Sequence, residues 1–332
     1  MLTKKLLCLV AAAALSAVIV NLGLAENSAA AEKWDMPAAY SAKNFISQRY
    51  IKFAEMVTQK SDGRLEIVVH PAGSLYKGSE IMRAVRSGQV PIGARYLGAH
   101  SNENPIYGLD LTPFLATTFD DAWRLYQLSK PALEKILAKQ NLKLLFTAPW
   151  PPQGLFCKKE VNSIADMKGV RFRAYDATTT RLAELMGAIP TKTEATEISQ
   201  AFSTGVAESM IASGAIGVFQ KIWDYVDYFY KVNAWIPKSG VIVNMKAWNK
   251  LDDDLKKIVL DSASEIEKEV WSVAPEVMES YNKTMAENGM KVLEPSPELM
   301  AGFKKIGNTI AEEWGNSAGK DFSDILKAYQ SQ

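Results

Sequence analysis

A two-domain α/β fold of mixed sheets flanked by helices is the architecture this sequence predicts, and three observations carry it. The 332 residues exceed what one compact core usually holds. From Trp34 onward, short strand-like runs alternate with helical periodicities. Towards the C-terminus one helical pattern runs from Asp252 to Asn288, roughly 55 Å at the usual rise per residue. Composition removes other classes. With 48% hydrophobic and 23% charged residues, the chain is neither disordered nor membrane-spanning throughout. A formal charge of +1 and no polybasic run leave no electrostatic footprint for nucleic acid or anionic lipid.

Residues 1–31 read as a secretory signal: Lys4 and Lys5, then an almost wholly apolar run from Leu6 to Leu24, then small residues. Cleavage is expected after Ala25 or Ala31. The competing reading is an uncleaved anchor, since the apolar run is about long enough to span a bilayer. Cleavage after Ala31 removes Lys4, Lys5 and Glu26 from 38 basic and 37 acidic residues, leaving 36 of each. Only Cys157 then remains, so no intrachain disulfide is available and an exported chain must rely on burial for its stability.

Taken in order, Asn44 to Gln59 places Phe45, Tyr50, Phe53, Met56 and Val57 at helical spacing, closed by Ser61-Asp62-Gly63. Leu65 to His70 is a strand, and Ser79 is the expected cap of a helix over Glu80 to Ser87. Val90 to Ala94 is the next strand, and strand–helix–strand order predicts its parallel pairing with the previous one. The loop after it, with Arg95, Tyr96, His100 and Asn102, is a candidate cleft wall, because open α/β sheets bind ligands at the carboxyl ends of strands. Arg95 is either a second cation for an acidic ligand or a solvated loop residue. Asp120 to Tyr126 and Pro131 to Lys139 read as two helices, and Leu142 to Thr147 as a strand. The prolines of Pro149-Trp150-Pro151-Pro152 mark an ordered crossing segment. Beyond them come helices over Thr178 to Met186 and Ala195 to Thr204, then a strand over Val241 to Asn244. Asp252 opens the long helix with Asp253 and Asp254 in its first turn, and Pro275 should kink it. Helices over Pro297 to Trp314 and Phe322 to Tyr329 end the chain.

The run Met167-Lys168-Gly169-Val170-Arg171-Phe172-Arg173-Ala174 alternates with period two, placing Val170, Phe172 and Ala174 opposite Arg171 and Arg173. Either both arginines sit in water on an edge strand, or one points into a cleft and grips an anion. A guanidinium offers a planar fork of donors matched to a carboxylate.

This run, the helix after it, Gly187-Ala188-Ile189-Pro190, Glu197 and Ala201-Phe202-Ser203-Thr204-Gly205-Val206 together resemble the core motif of the DctP-type solute-binding proteins of TRAP (tripartite ATP-independent periplasmic) transporters. The first half of the chain is similar too, at Gly63-Arg64-Leu65, Pro71, Gly73, Leu75, Ala84-Val85, Gly88, Val90 and Ile92-Gly93. The resemblance implies a two-lobed, type II-like periplasmic binding protein fold with a long kinked helix spanning both lobes. Lobe I is then expected over 32–148 plus 238–270 and lobe II over 149–237 plus 271–332, with the ligand cleft between them. It also implies that Arg173 is the carboxylate-binding arginine. Two departures matter. Phe156 stands where many members carry a second arginine, and Val206-Ala207-Glu208 replaces an acidic-glycine pair.

The expected function is therefore that of a periplasmic receptor for a small organic carboxylate, a monomer that hands its ligand to TRAP membrane permease subunits and needs no nucleic acid. Trp150, Phe156, Tyr175, Phe202 and Trp223 favour an aromatic or apolar monocarboxylate, with Ser213 as a further donor; a small hydroxy or keto acid is the competing ligand. No HExxH, CxxC, P-loop or GxGxxG pattern occurs, so neither cofactor nor metal is expected. Two other readings stay open: a ligand-presenting partner of a sensor kinase, and a periplasmic enzyme dependent on His70 or His100.

Overall fold

The computed structural model describes residues 32–331; the expected signal segment and Cys8 lie outside the described residues. Five strands build the first lobe: β1 (Glu32–Pro37), β2 (Leu65–His70), β3 (Ile92–Tyr96), β4 (Leu142–Pro149) and β10 (Lys238–Asn244). Six build the second: β5 (Gln153–Cys157), β6 (Arg171–Ala174), β7 (Ile189–Lys192), β8 (Ser209–Ser213), β9 (Tyr228–Tyr230) and β11 (Lys291–Leu293). The helices, in chain order, are α1 (Phe45–Lys60), α2 (Ile81–Arg86), α3 (Phe119–Lys139), α4 (Ala177–Leu185), α5 (Ile198–Ser203), α6 (Gly214–Phe219), α7 (Met245–Lys250), α8 (Asp253–Glu287), α9 (Pro297–Ser317) and α10 (Gly319–Gln330).

In the first lobe β1 and β2 pair in parallel, and β3, β10 and β4 form an antiparallel sheet in that order. The expected pairing of β2 with β3 does not occur. The unforeseen strand β1 pairs with β2, and a single parallel bridge, Ala38 to Ala94, joins its end to β3. The second lobe is one mixed sheet, ordered β11-β9-β5-β8-β6-β7. Two expectations about helices also change. Ser79 is not a cap: the Glu80 carboxylate accepts the Lys77 N–H at 3.1 Å, and a 3-10 turn starts two residues earlier than the expected helix, at Gly78. Residues 119–139 form one helix with Pro131 inside it, because Leu125, Tyr126, Ser129, Leu133 and Leu137 bury one continuous face.

The chain crosses between the β3-β10-β4 sheet and the six-stranded sheet at 150–152 and again at 231–237, and the two crossings are tied together. Trp150 N–H donates to Pro237 O at 2.8 Å, Gln153 N–H to Trp235 O at 3.0 Å and Ala234 N–H to Gln153 O at 3.0 Å. Helix α8 packs against α1 and β4 on one side and α6 and β11 on the other, so it touches both lobes. Its Asp252 cap accepts the Leu255 N–H at 2.7 Å.

One buried carboxylate anchors that helix. Glu267 accepts from Thr147 N–H (2.7 Å), Thr147 Oγ1 (3.0 Å) and Tyr126 O–H (2.8 Å), and Lys130 Nζ lies 3.4 Å away. Glu267→Ala strands three donors in the interior, each costing about 1–3 kcal/mol unless water re-enters. Urea unfolding should therefore show a loss of about 3 kcal/mol or more; a loss below about 1 kcal/mol would mean the carboxylate is dispensable.

Candidate functional site

The strand ends of both lobes converge on one cleft of about 640 Å³. Arg95 at the end of β3, Trp150 after β4, Arg173 and Tyr175 at the end of β6, and Ser213 at the end of β8 all line it. Local sequence explains the placement of the motif arginine. Gly169 and Gly187 both adopt left-handed φ, near +75° and +71°, and Gly169 N–H donates to Gly187 O at 2.8 Å. This closure sets the register of β6 beside β7 and delivers Arg173 to the cleft. Arg171, two residues earlier, is about half exposed and pairs with Glu208 at 2.9 Å. Strand β6 is thus not an edge strand, lying between β8 and β7, and of its two arginines only Arg173 lines the cleft.

Arg173 is 4% exposed and Arg95 7%. Burial pushes both guanidiniums down from their usual range. Among the described residues neither has an acid within ion-pair distance. Arg173 donates Nε–H to Thr193 O at 3.0 Å and lies 4.8 Å from the centroid of the Tyr175 ring. Arg95 donates Nε–H to His100 Nε2 at 3.2 Å. That bond fixes the tautomer: Nε2 is the acceptor, so Nδ1–H donates to Glu103 Oε1 at 2.5 Å. Glu103 in turn meets Arg86 Nη2 at 2.9 Å.

Polar ties also run across the cleft. Tyr96 O–H, from the first lobe, donates to Asp176 Oδ2 of the second at 2.7 Å. Burial raises the Asp176 carboxyl, whose other oxygen caps α4 by accepting Thr179 N–H at 2.8 Å. Tyr175 O–H donates to Gln153 Oε1 at 3.0 Å. Tyr40 and Trp150 pack edge to face at 4.5 Å, and Trp150 Nε1–H donates to Ser239 Oγ at 3.0 Å. Ser213 Oγ caps α6.

Three expected contacts fall away from the cleft lining. Phe156 is fully buried three residues further along β5 than Gln153, packed against Phe229 at 4.5 Å and over Gly217. Phe202, on α5, is buried and faces Tyr225, and Trp223, in a 3-10 turn, is partly buried against the hydrophobic core. Phe156 and Phe202 hold core positions and Trp223 the core's margin, as aromatic stripes usually do. Conversely, the sequence reading passed over Tyr40, Gln153, Asp176 and Glu194, which line the cleft. Two of them carried a readable signal: Asp176 precedes Thr178-Thr179 as a helix cap, and Glu194 follows the end of β7.

Comparison with known proteins agrees with this architecture. Residues 38–317 match the DctP family model, described as bacterial extracellular solute-binding protein, family 7. A marine metagenome TRAP solute-binding protein specific for pyroglutamate is 42% identical, with a TM-score of 0.89 over 91% of this chain and 99% of that one. DctP6 of Bordetella pertussis, an extracytoplasmic solute receptor binding pyroglutamic acid, is 39% identical, with a TM-score of 0.88 over 90% and 100%. A monocarboxylate 2-oxoacid-binding periplasmic protein of Nostoc sp. is 24% identical over 90% of this chain and 84% of its own. With residues 38–317 matched by that model and its whole described fold superposing on these solved structures, the chain belongs to the DctP family of bacterial extracellular solute-binding proteins, the solute receptors of TRAP transporters.

Proposed function

We propose that this protein is a periplasmic receptor that captures a small monocarboxylate, of the pyroglutamate type, and delivers it to a TRAP membrane permease. The observation that carries this reading is Arg173: a buried guanidinium lining the cleft, with no ion-pair partner among the described residues. A buried cation held without its counter-ion is costly, and a ligand carboxylate supplies what is missing. Two relatives at about 40% identity that bind pyroglutamate favour a compact lactam acid. The walls suit one: Tyr40, Trp150 and Tyr175 offer ring faces, while Arg95, Gln153 and Ser213 offer polar partners for a carbonyl and an N–H. The preference for a purely aromatic or apolar acid loses its main support, since Phe156, Phe202 and Trp223 do not line the cleft. We place the lobe boundaries at the two crossings, with the cleft closing about them.

His100 acts here by orienting Arg95, with both ring nitrogens engaged, so it is poorly set up as a free catalytic base. The role expected of it in an enzyme is therefore not the one its geometry favours.

Isothermal titration should give tight binding of L-pyroglutamate and weaker binding of phenylacetate. Removing Arg173 leaves the carboxylate unpaired, so Arg173→Ala should lose at least about a hundredfold in affinity. Arg173→Lys should also bind poorly, because a point charge cannot reproduce the fork. Unchanged affinity in Arg173→Ala, or a panel in which only phenylacetate binds, would refute the reading.

A pH dependence follows from His100. Burial lowers its pKa below the usual 6.5, against a partly opposing hydrogen bond to Glu103. As pH falls below that value the unfolded chain takes up a proton before the native one, so stability contributed by this group is present above it and lost below. Chemical unfolding at pH 7 and pH 5 should show lower stability at pH 5, and His100→Asn should reduce that difference. An equal difference in the variant would assign the pH sensitivity to other groups.

A further inference from the structure

Arg95 and Arg173 give the cleft two buried cations, which by charge alone would suit a diacid as well as a monoacid. Glu194 changes this balance. It lies in the second lobe, just beyond β7, lines the cleft, and makes no ion pair among the described residues. Arg95 and Gly78 belong to the first lobe, yet all three meet. A Cβ placed on Gly78 would stand 3.3 Å from Arg95 Nη1 and 3.4 Å from Glu194 Oε2. The carboxylate therefore reaches the space beside the Arg95 fork, room that the missing side chain of Gly78 leaves open. Its charge favours the ionised form of Arg95 and, less directly, that of Arg173. Asp176 does not play this part, because its oxygens are taken by Tyr96 and Thr179.

We propose that Glu194 is a specificity determinant that restricts this receptor to singly charged acids, by occupying with its own carboxylate the position beside Arg95 that the second carboxylate of a linear diacid would need. A diacid held by Arg173 at one end would bring its other end against Glu194, and like charges in a partly desolvated cleft exclude a ligand strongly. A lactam or keto oxygen at the same place is neutral and accepts from Arg95 without that repulsion. Selection thus comes from a repulsive element built into the site as well as from the attractive one.

The inference rests on the monocarboxylate reading, and calorimetry separates the two. L-Pyroglutamate and glutarate, which share a five-carbon skeleton, are titrated into wild type, Glu194→Gln and the double variant Glu194→Gln/Arg95→Gln. Wild type should bind glutarate at least about a hundredfold more weakly than pyroglutamate. Glu194→Gln should narrow that ratio at least about tenfold, and the added loss of Arg95 should restore it. Glu194→Ser, which also removes the charge and can cap the turn that Glu194 opens, serves if the glutamine variant folds poorly. A ratio unchanged in the charge-removing variants, or a narrowing that survives without Arg95, overturns the proposal. So does a wild type that binds glutarate as tightly as pyroglutamate. A wild type that binds neither acid defeats the monocarboxylate reading itself, and this inference falls with it.

Discussion

Two guanidinium groups held almost out of water, with no acid within ion-pair distance among the described residues, are the constraint on which the rest of this structure depends. Moving a charge from water into a protein interior costs several kcal/mol even after relaxation. Arg173 recovers part of that through Thr193 O and the face of Tyr175, and Arg95 through the neutral nitrogen of His100. These partners are dipoles and a quadrupole. They orient the forks and soften the burial, yet they leave the positive charge uncompensated. That residual charge is what makes the cleft attractive to an anion, and the surrounding order keeps the forks from collapsing onto nearby acids.

The fold supplies the order. Strands from two separate sheets end at the same cleft, so its walls belong to different lobes while its polar groups sit on rigid elements. The paired crossings at 150–152 and 231–237 hold these sheets in register through backbone bonds. Helix α8 touches both lobes, and Glu267 fastens it to β4 and α3 from within. Tyr96 to Asp176 then spans the cleft by a single hydrogen bond, a contact that depends on the lobes being together. Such a bond is modest in net energy, which suits a receptor that must both hold and release its ligand.

Much of this was legible in the chain, for reasons that differ by residue. Strand β6 was readable because its period of two is local and its flanking glycines mark tight turns, and Arg173 followed from the motif. Helix α8 was readable from its triple-aspartate start and apolar periodicity. Strand β1 was not, since Glu32–Pro37 is short and gains its partners from β2 and β3, far along the chain. Pro131 argued locally for a helix break, and a continuous buried face overrode it. At the cleft, residues at strand ends could be anticipated from topology alone, as with Arg95. Phe156, Phe202 and Trp223 could not be sorted from Trp150 and Tyr175, because aromatic residues serve core and cleft equally well and only the three-dimensional packing distinguishes them.

A crystal structure of the protein bound to L-pyroglutamate tests the central claim most directly. The account predicts the ligand carboxylate lying in the plane of the Arg173 guanidinium, with two parallel N–H···O contacts of about 2.7–2.9 Å and water excluded between them. A carboxylate bound elsewhere in the cleft, with the terminal nitrogens of Arg173 solvated or turned towards a protein acid, would contradict it.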